Sequence, residues 1–367
     1  MNAAVGADGM LHRGRMRRNH PLPQAIASRP FSVREAAELG VGAGRLRGND
    51  LSRPFHGTRM NGNLAPETPK NPEFAGIAGI ADLAAAYATR MPPDQYFSHW
   101  TAAVLLGLRL PEVRVPRVLD VRVPRVLDVG VVDVRVPRVL DVRMLDVSML
   151  DVSVPSPRRA PRLRGVRGHE LLSSVRKRTL PSGLRVSDAV ETWCQLAAEL
   201  SLDDLIVMGD GLVCRHAPSA TVAELTAAVA EWGARPGGPA LRRALLEIRC
   251  RTDSARETML RLIIVRARLP EPVVNFAICN RFGVVIGLGD LAYPSYRVLL
   301  EYDGGQHRSD ERQFHIDIAR LDAFMEEKWR VIRVNKSLMQ QPSTLLNKVR
   351  TALEAGGWAA TRSSDPS

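Results

Sequence analysis

A group of carboxylates in the C-terminal third of the chain has the types and spacing to do chemistry: Glu257, Asp290, Glu301 and Asp303, followed by His307 and His315. Asp290 closes one strand-like run and Glu301 sits near the end of the next, across a short turn, so their carboxylates can approach each other. Glu301 and Asp303 lie two apart on one strand and share a face. Like charges at that separation repel unless a cation lies between them, and hard oxygen donors suit Mg²⁺ or Mn²⁺. A cation there lowers the pKa of a water and steadies a phosphoryl group under attack. His307 and His315 can assist proton transfer. Plainer readings stand beside these. Glu257 is also the N3 partner of Ser254 in a capping box, and Asp303-Gly304-Gly305 also reads as turn chemistry. Gln313, Asp317 and Arg320 also read as a solvated helix stripe, and both histidines suit an open surface. Asp290 and Glu301 resist a plain reading, because carboxylates are depleted in strand interiors.

The elements that must position these groups are legible in the pattern. Ser254-Ala255-Arg256-Glu257 opens a helix with apolar Leu260, Ile263, Ile264 and Ala267, ending before Pro270. Asn275–Cys279, Val284–Leu288 and Arg297–Tyr302 read as strands separated by turn residues, which predicts an antiparallel meander. Phe314, Ile318, Leu321 and Met325 recur on one helix face, and Trp329–Val334 predicts a last strand. Upstream, helices are predicted near Phe74–Thr89, Asp94–Leu106, Ser187–Leu200 and Val222–Trp232. Pro236-Gly237-Gly238-Pro239 reads as a boundary.

The run Asp290-Leu291-Ala292-Tyr293-Pro294, then Glu301-Tyr302-Asp303-Gly304, His307-Arg308, Gln313-Phe314, Asp317, Arg320 and Trp329 to Val334 resembles the very-short-patch-repair-like endonuclease domain. That domain belongs with domain-of-unknown-function family 559 in the PD-(D/E)XK superfamily. The upstream Ser254 and Glu257 to Arg261 resemble the helix preceding its core, so the likeness spans about Arg251 to Val334. It implies that Asp290 and Glu301 are metal ligands and that Glu257 is the helix carboxylate. The chain departs at one place: Glu301-Tyr302-Asp303 stands where the superfamily carries E-x-K, so the lysine is missing.

Toward the N-terminus, Ser32-Val33-Arg34-Glu35 reads as a capping box opening a helix that ends at Gly40. A second helix over about Ala43–Gly48 and an extended arm, Leu51–Gly57, complete the order of a small winged helix-turn-helix. Arg45 and Arg47 would then face the major groove of DNA and Arg53 a phosphate. A helical hairpin with solvated arginines fits the same pattern. Pro30-Phe31-Ser32, Leu46-Arg47, Arg53 to Gly57 and Phe97 to Ala103 resemble actinobacterial proteins with an abortive-infection, type IV antitoxin-like N-terminal region. That likeness implies a DNA-binding winged helix.

Composition agrees with a polyanion partner. The 367 residues carry 51 Lys and Arg against 39 Asp and Glu, a net charge of +12. Arginine clusters before Arg59 and again over Arg158–Arg178, and guanidinium groups favour phosphate. A hydrophobic content of 45% supports packed cores. No apolar run is long enough to span a membrane. Met1–His20 has no apolar stretch of the kind a secretion signal needs. The four cysteines have no metal-ligand spacing, and a cytoplasmic protein without membrane attachment is expected.

Between Val113 and Val154 the octapeptide VRVPRVLD occurs at Val113–Asp120, Val121–Asp128 and Val134–Asp141, with shorter relatives between and after. It reads as the expansion of one β-strand, mostly looped out. The sequence thus predicts an α+β protein: a disordered basic tail (1–28), a winged helix-turn-helix (29–60) and a mixed α/β middle domain (61–235) with a repeat insertion at 113–151. A PD-(D/E)XK-like α/β/α domain (240–353) and a flexible tail (354–367) follow. The expected activity is Mg²⁺- or Mn²⁺-dependent hydrolysis of DNA; the alternative is a DNA-binding regulator or antitoxin-type protein with an inactive nuclease fold.

Overall fold

The computed structural model describes residues 20–62, 72–110, 149–172, 174–303 and 311–359, with the side chains of 72–78 and 311–317 left aside. The chain is α+β and divides into two compact units, Met1–Pro93 and Asp94–Ser367. The break at Pro236–Pro239 is not a boundary between them.

The first unit contains α1 (Gln24–Ala27), β1 (Phe31–Ser32), α2 (Val33–Glu38), β2 (Leu51–Ser52), β3 (Thr58–Asn61) and α3 (Pro72–Ala88). Its antiparallel strands are ordered β1-β3-β2. Ser32 caps α2 by accepting the Glu35 N–H, and Gly40, at φ +78°, follows the helix as the pattern anticipates. Two expectations need correction. Residues 20–28 are not tail: Ile26 is fully buried among Phe31, Ala36, Leu46 and Leu51. The second helix is a single 3-10 turn, Arg45–Arg47, because Gly42, Gly44 and Gly48 crowd it and each glycine costs a helix about 1 kcal/mol.

The second unit begins with β4 (Tyr96–Phe97), α4 (His99–Leu105), β5 (Leu150–Pro155), β6 (Val166–Leu171), β7 (Lys177–Thr179) and β8 (Arg185–Ser187), a sheet ordered β6-β5-β4-β8-β7. β5 is the last copy of the repeated pattern, and nearly all of it is buried; residues 111–148, with the earlier copies, lie outside the described residues. Polar groups meet beside β5. Ser153 Oγ donates to Ser98 Oγ (2.6 Å), Ser98 Oγ is 2.9 Å from His99 Nδ1, and His99 stacks on His169, whose Nε2 is 2.9 Å from Asp151 Oδ1. Then come α5 (Ala189–Leu196), α6 (Leu202–Leu212), α7 (Val222–Trp232) and α8 (Gly238–Glu247). Gly237, at φ +83°, precedes α8 and Pro239 sits in its first turn, so the Pro-Gly cluster starts a helix instead of linking domains.

The chain continues through α9 (Ala255–Arg266), β9 (Val273–Cys279), β10 (Val285–Tyr293), β11 (Val298–Asp303), α10 (Glu311–Glu326), β12 (Arg330–Asn335), α11 (Lys336–Met339) and α12 (Pro342–Ala355). The meander β9-β10-β11 is antiparallel as expected, and β12 adds in parallel to β11. A parallel pair needs a crossover, and α10 lies within that connection. β11 starts Val298-Leu299-Leu300 because it is covered on both faces, where strands read as unbroken apolar runs. One face packs Leu291, Leu300 and Val334 against Leu260 and Ile264 of α9 and Leu345, Val349 and Leu353 of α12. The other packs Ile278, Ala292 and Leu299 against Phe324 of α10. The terminal tail expected from 354 is shortened too: Trp358 packs on the α12 side of the sheet.

Candidate functional site

Asp290 lies inside β10, which runs on to Tyr293, not at its end. The register Leu291↔Leu300 places it opposite Glu301 on β11. There the side chains take over backbone bonding. The Tyr302 N–H donates to Asp290 Oδ2 at 2.7 Å, and the Asp290 N–H donates to Glu301 Oε1 at 3.2 Å. Each carboxylate is thereby tied to the other's strand, and Glu301 is 6% exposed.

Arg320 of α10 reaches the pair from one face, donating from Nη2 to Glu301 Oε2 at 3.0 Å. Gly287 makes that approach possible: a Cβ there would stand 2.7 Å from the Phe324 ring and 3.2 Å from Arg320 Cδ. The helix-stripe reading of Arg320 is therefore set aside. Ile318 and Met325, expected in the core, are exposed, while Phe324 is fully buried. The packed face of α10 is the one that carries Arg320.

Glu257 approaches from α9. Its N–H donates to Ser254 Oγ, as in a cap, but its carboxylate does not return to Ser254. Glu257 Oε2 instead accepts from the Asp253 N–H (2.8 Å) and from Asn275 Nδ2 (3.0 Å). Asn275 stands opposite Asp290 in the β9–β10 register and has a left-handed backbone, φ +46°. It reverses the pleat. Val274 packs toward α9 and α12, whereas Phe276 and Ile278 pack toward α10, although residues two apart in a strand normally share a face. The same reversal crosses β10, from Gly287 under Phe324 to Leu291 on the other side.

Burial pushes the Asp290 carboxyl up to about 8, with the Glu301 and Glu257 charges adding to the rise and the Tyr302 N–H and Arg320 opposing it. The Asp290 carboxyl therefore feels the charge of both neighbours. Among the described residues no three His, Cys, Asp or Glu side chains form a group that could hold a metal ion. The donor set nevertheless has the chemistry for Mg²⁺, which uses one or two carboxylates and completes its shell with water and phosphate oxygens.

The other expected residues lie apart or outside this arrangement. Asp303 is tied to Arg333 at 2.8 Å. His307 lies outside the described residues, and for Gln313, His315 and Asp317 the helix backbone alone is described. In the first unit Arg45 is a structural residue: its guanidinium grips both oxygens of Asp50, at 3.0 and 2.6 Å. Arg47 and Arg53 are exposed. Asn275, which bonds Glu257, was not singled out from the sequence, although Asn is depleted in strands. Comparison with family models, with curated proteins and with solved structures finds no match for the chain.

Proposed function

We propose that the second unit is a cation-dependent nuclease that hydrolyses DNA phosphodiesters, with Asp290 and Glu301 as the cation ligands. The observation that carries this reading is the buried Asp290–Glu301 pair inside a sheet covered by helices on both faces, with Arg320 and Glu257 converging on it. A buried carboxyl pushed up by burial and by neighbouring carboxylates, as Asp290 is, is costly, and such arrangements cluster where chemistry needs them. The resemblance to the very-short-patch-repair-like domain and a sheet covered by helices on both faces support the same assignment.

A bound Mg²⁺ would supply Lewis-acid stabilisation of the phosphate and a more acidic water. The chain's own part is positional. Tyr302 N–H and Asp290 N–H fix the two carboxylates, and Arg320 donates to the second oxygen of Glu301. The Leu291 and Leu300 core beneath keeps both strands rigid. The basic first unit, in the winged-helix reading, would bring duplex DNA through Arg47 and Arg53.

A second reading, a DNA-binding regulator with an inert nuclease fold, is favoured by one observation: Asp303 occupies the lysine position and is paired to Arg333. Plasmid DNA with Mg²⁺ or Mn²⁺, against EDTA, tests the choice. Cleavage by wild type, lost by orders of magnitude in Asp290→Asn and Glu301→Gln while both remain folded, supports the nuclease. Folded, DNA-bound wild type that cuts no substrate under either metal supports the regulator.

A further inference from the structure

We propose that Cys214 and Cys250 form a redox modification site, which a small disulfide oxidant closes into one intrachain disulfide and a thiol reductant opens again. The inference is independent of the nuclease reading. Cys214 follows α6, Cys250 precedes the cap of α9, and both are free thiols. Cys250 is exposed and Cys214 half-buried, so solvent reaches each. The other two cysteines differ. Cys194 is buried in α5, and burial pushes its thiol up, the condition of an inert structural cysteine. Cys279 is exposed on β9, opposite Val285.

The segments that carry the pair are bonded to each other on both sides of the cysteines. The Arg249 N–H donates to Asp210 Oδ1 at 2.7 Å, and the Arg251 N–H donates to the Val213 carbonyl at 3.3 Å. Further along, the Arg215 guanidinium grips both oxygens of Asp253. Arg109 holds Thr252 by its hydroxyl at 2.7 Å and its carbonyl at 3.0 Å. The Val213 carbonyl belongs to the peptide group leading into Cys214, and the Arg251 N–H to the one leaving Cys250. Peptide groups bonded in this way hold those flanking Cα atoms roughly 4.5–6.5 Å apart. A disulfide spans Cα atoms about 4.4–6.8 Å apart, so closing this one needs no large movement of the backbone.

Arg251 fixes the turn beside Cys250. Its backbone is left-handed, at φ +71°, yet its N–H bonds Val213 and its carbonyl accepts from the Asn275 amide at 2.8 Å. Such a conformation persists where the surroundings over-determine it. The Cys214 thiol donates to the His216 carbonyl at 2.8 Å, and a thiol is a weak donor, so this bond yields readily. One protein thiolate attacks oxidised glutathione, forming a mixed disulfide and releasing one glutathione thiolate. The second protein thiolate attacks the protein sulfur of that mixed disulfide and releases the other. Two protein thiols thus lose two electrons and two protons, and one glutathione disulfide becomes two thiols.

The test incubates the reduced full chain, kept dilute, with oxidised glutathione, then alkylates the remaining thiols in denaturant and weighs the intact protein. Wild type should take up two alkyl groups where the reduced chain, with its four cysteines, takes up four. It should retain no glutathione, yield a chymotryptic cross-link between Cys214 and Cys250, and recover all its thiols in dithiothreitol. Cys214→Ser and Cys250→Ser should each keep one bound glutathione; if either fails to fold, the wild-type cross-link alone decides. The bond closes a loop of about 36 residues, so oxidised wild type should also melt several degrees higher than reduced. Full alkylation, glutathione left on Cys214 or Cys250 of wild type, or a link to another cysteine or another chain would overturn the pairing. An equal or lower melting temperature would overturn the geometric fit.

Discussion

Replacing Asp290 with Asn should stabilise the folded second unit in the absence of metal, and the gain should grow with pH. Asn keeps the volume and the acceptor for the Tyr302 N–H, but carries no charge beside Glu301. The Asp290 carboxyl is held up near 8 in the fold, first by burial and then by Glu301 and Glu257. Between the ordinary aspartate range and about 8, the unfolded chain releases this proton while the folded protein retains it. The unfolded state then binds fewer protons, so stability falls as pH rises through that window. The slope is about 1.4 kcal/mol per pH unit, which sets a ceiling of roughly 4 kcal/mol at pH 7. Structural relaxation and water penetration lower it, and a gain of about 1–3 kcal/mol is expected. The assay is amide hydrogen exchange over Leu300–Tyr302 in EDTA at pH 5 and pH 8, corrected for intrinsic rates. Protection in Asp290→Asn should exceed wild type clearly at pH 8 and only slightly at pH 5. Added Mg²⁺ should recover the difference in wild type alone. Equal or lower protection in the variant at pH 8 would refute the reasoning, because Asp290 would then be an ordinary structural aspartate.

Gly287→Ala should lower stability by about 1–3 kcal/mol, since the added methyl meets the Phe324 ring and the arm of Arg320; an unchanged melting temperature would show that α10 yields freely. In the first unit, Arg45→Ala should destabilise by about 1–3 kcal/mol by removing its two bonds to Asp50, whereas Arg47→Ala and Arg53→Ala should leave melting unchanged. If Arg47 and Arg53 contact phosphates, each loss should also reduce the salt slope of DNA binding by about one, measured by fluorescence anisotropy. His99 is held down near 3, mainly by burial and then by His169. Its contribution is therefore complete above the ordinary histidine range and declines as pH falls toward 3, by about 1.4 kcal/mol per unit. Urea unfolding followed by Trp100 and Trp193 fluorescence should show a shallower acid decline in His99→Asn.

The strands were legible because apolar runs separated by turn residues leave few alternatives, and the paired placement of Asp290 and Glu301 followed from them. The extent of β10 was not, because Gly287-Leu288-Gly289 reads as a strand end. Those glycines instead make room for Phe324 above one and Leu299 beside the other. α6 was overlooked for a similar reason. Gly209 and Gly211 look like helix breakers, yet a Cβ at Gly209 would strike Ile248 and one at Gly211 would strike Arg109. On α10, two apolar stripes compete, and local periodicity does not say which one meets the sheet. Asn275 left only a composition signal, since a pleat reversal within a strand is decided by partners on other elements. The bond from Asn275 to Glu257 was not legible, because a capping glutamate and one bonded to another element look alike in sequence.

The burial of Ser153 gives β5 a way to distinguish itself from its own copies. Leu119–Pro124 (LDVRVP), Leu127–Val132 (LDVGVV), Leu140–Leu145 (LDVRML) and Leu145–Leu150 (LDVSML) all begin as β5 does. They are decoys for one slot in the sheet. In that slot Arg122 or Arg143 would replace a fully buried hydroxyl that bonds Ser98, forcing a guanidinium into the interior. Gly130 would leave Ser98 without its donor, at a cost of about 1 kcal/mol. Ser148 alone preserves the hydroxyl, but its segment brings Met149 to the position of Val154, which is 2% exposed. A single small side chain thus acts as an address within a repetitive stretch. Ser153→Arg would erase it, leaving the Ser148 segment as the one copy with the hydroxyl and the sheet without a fully matched strand between β6 and β4.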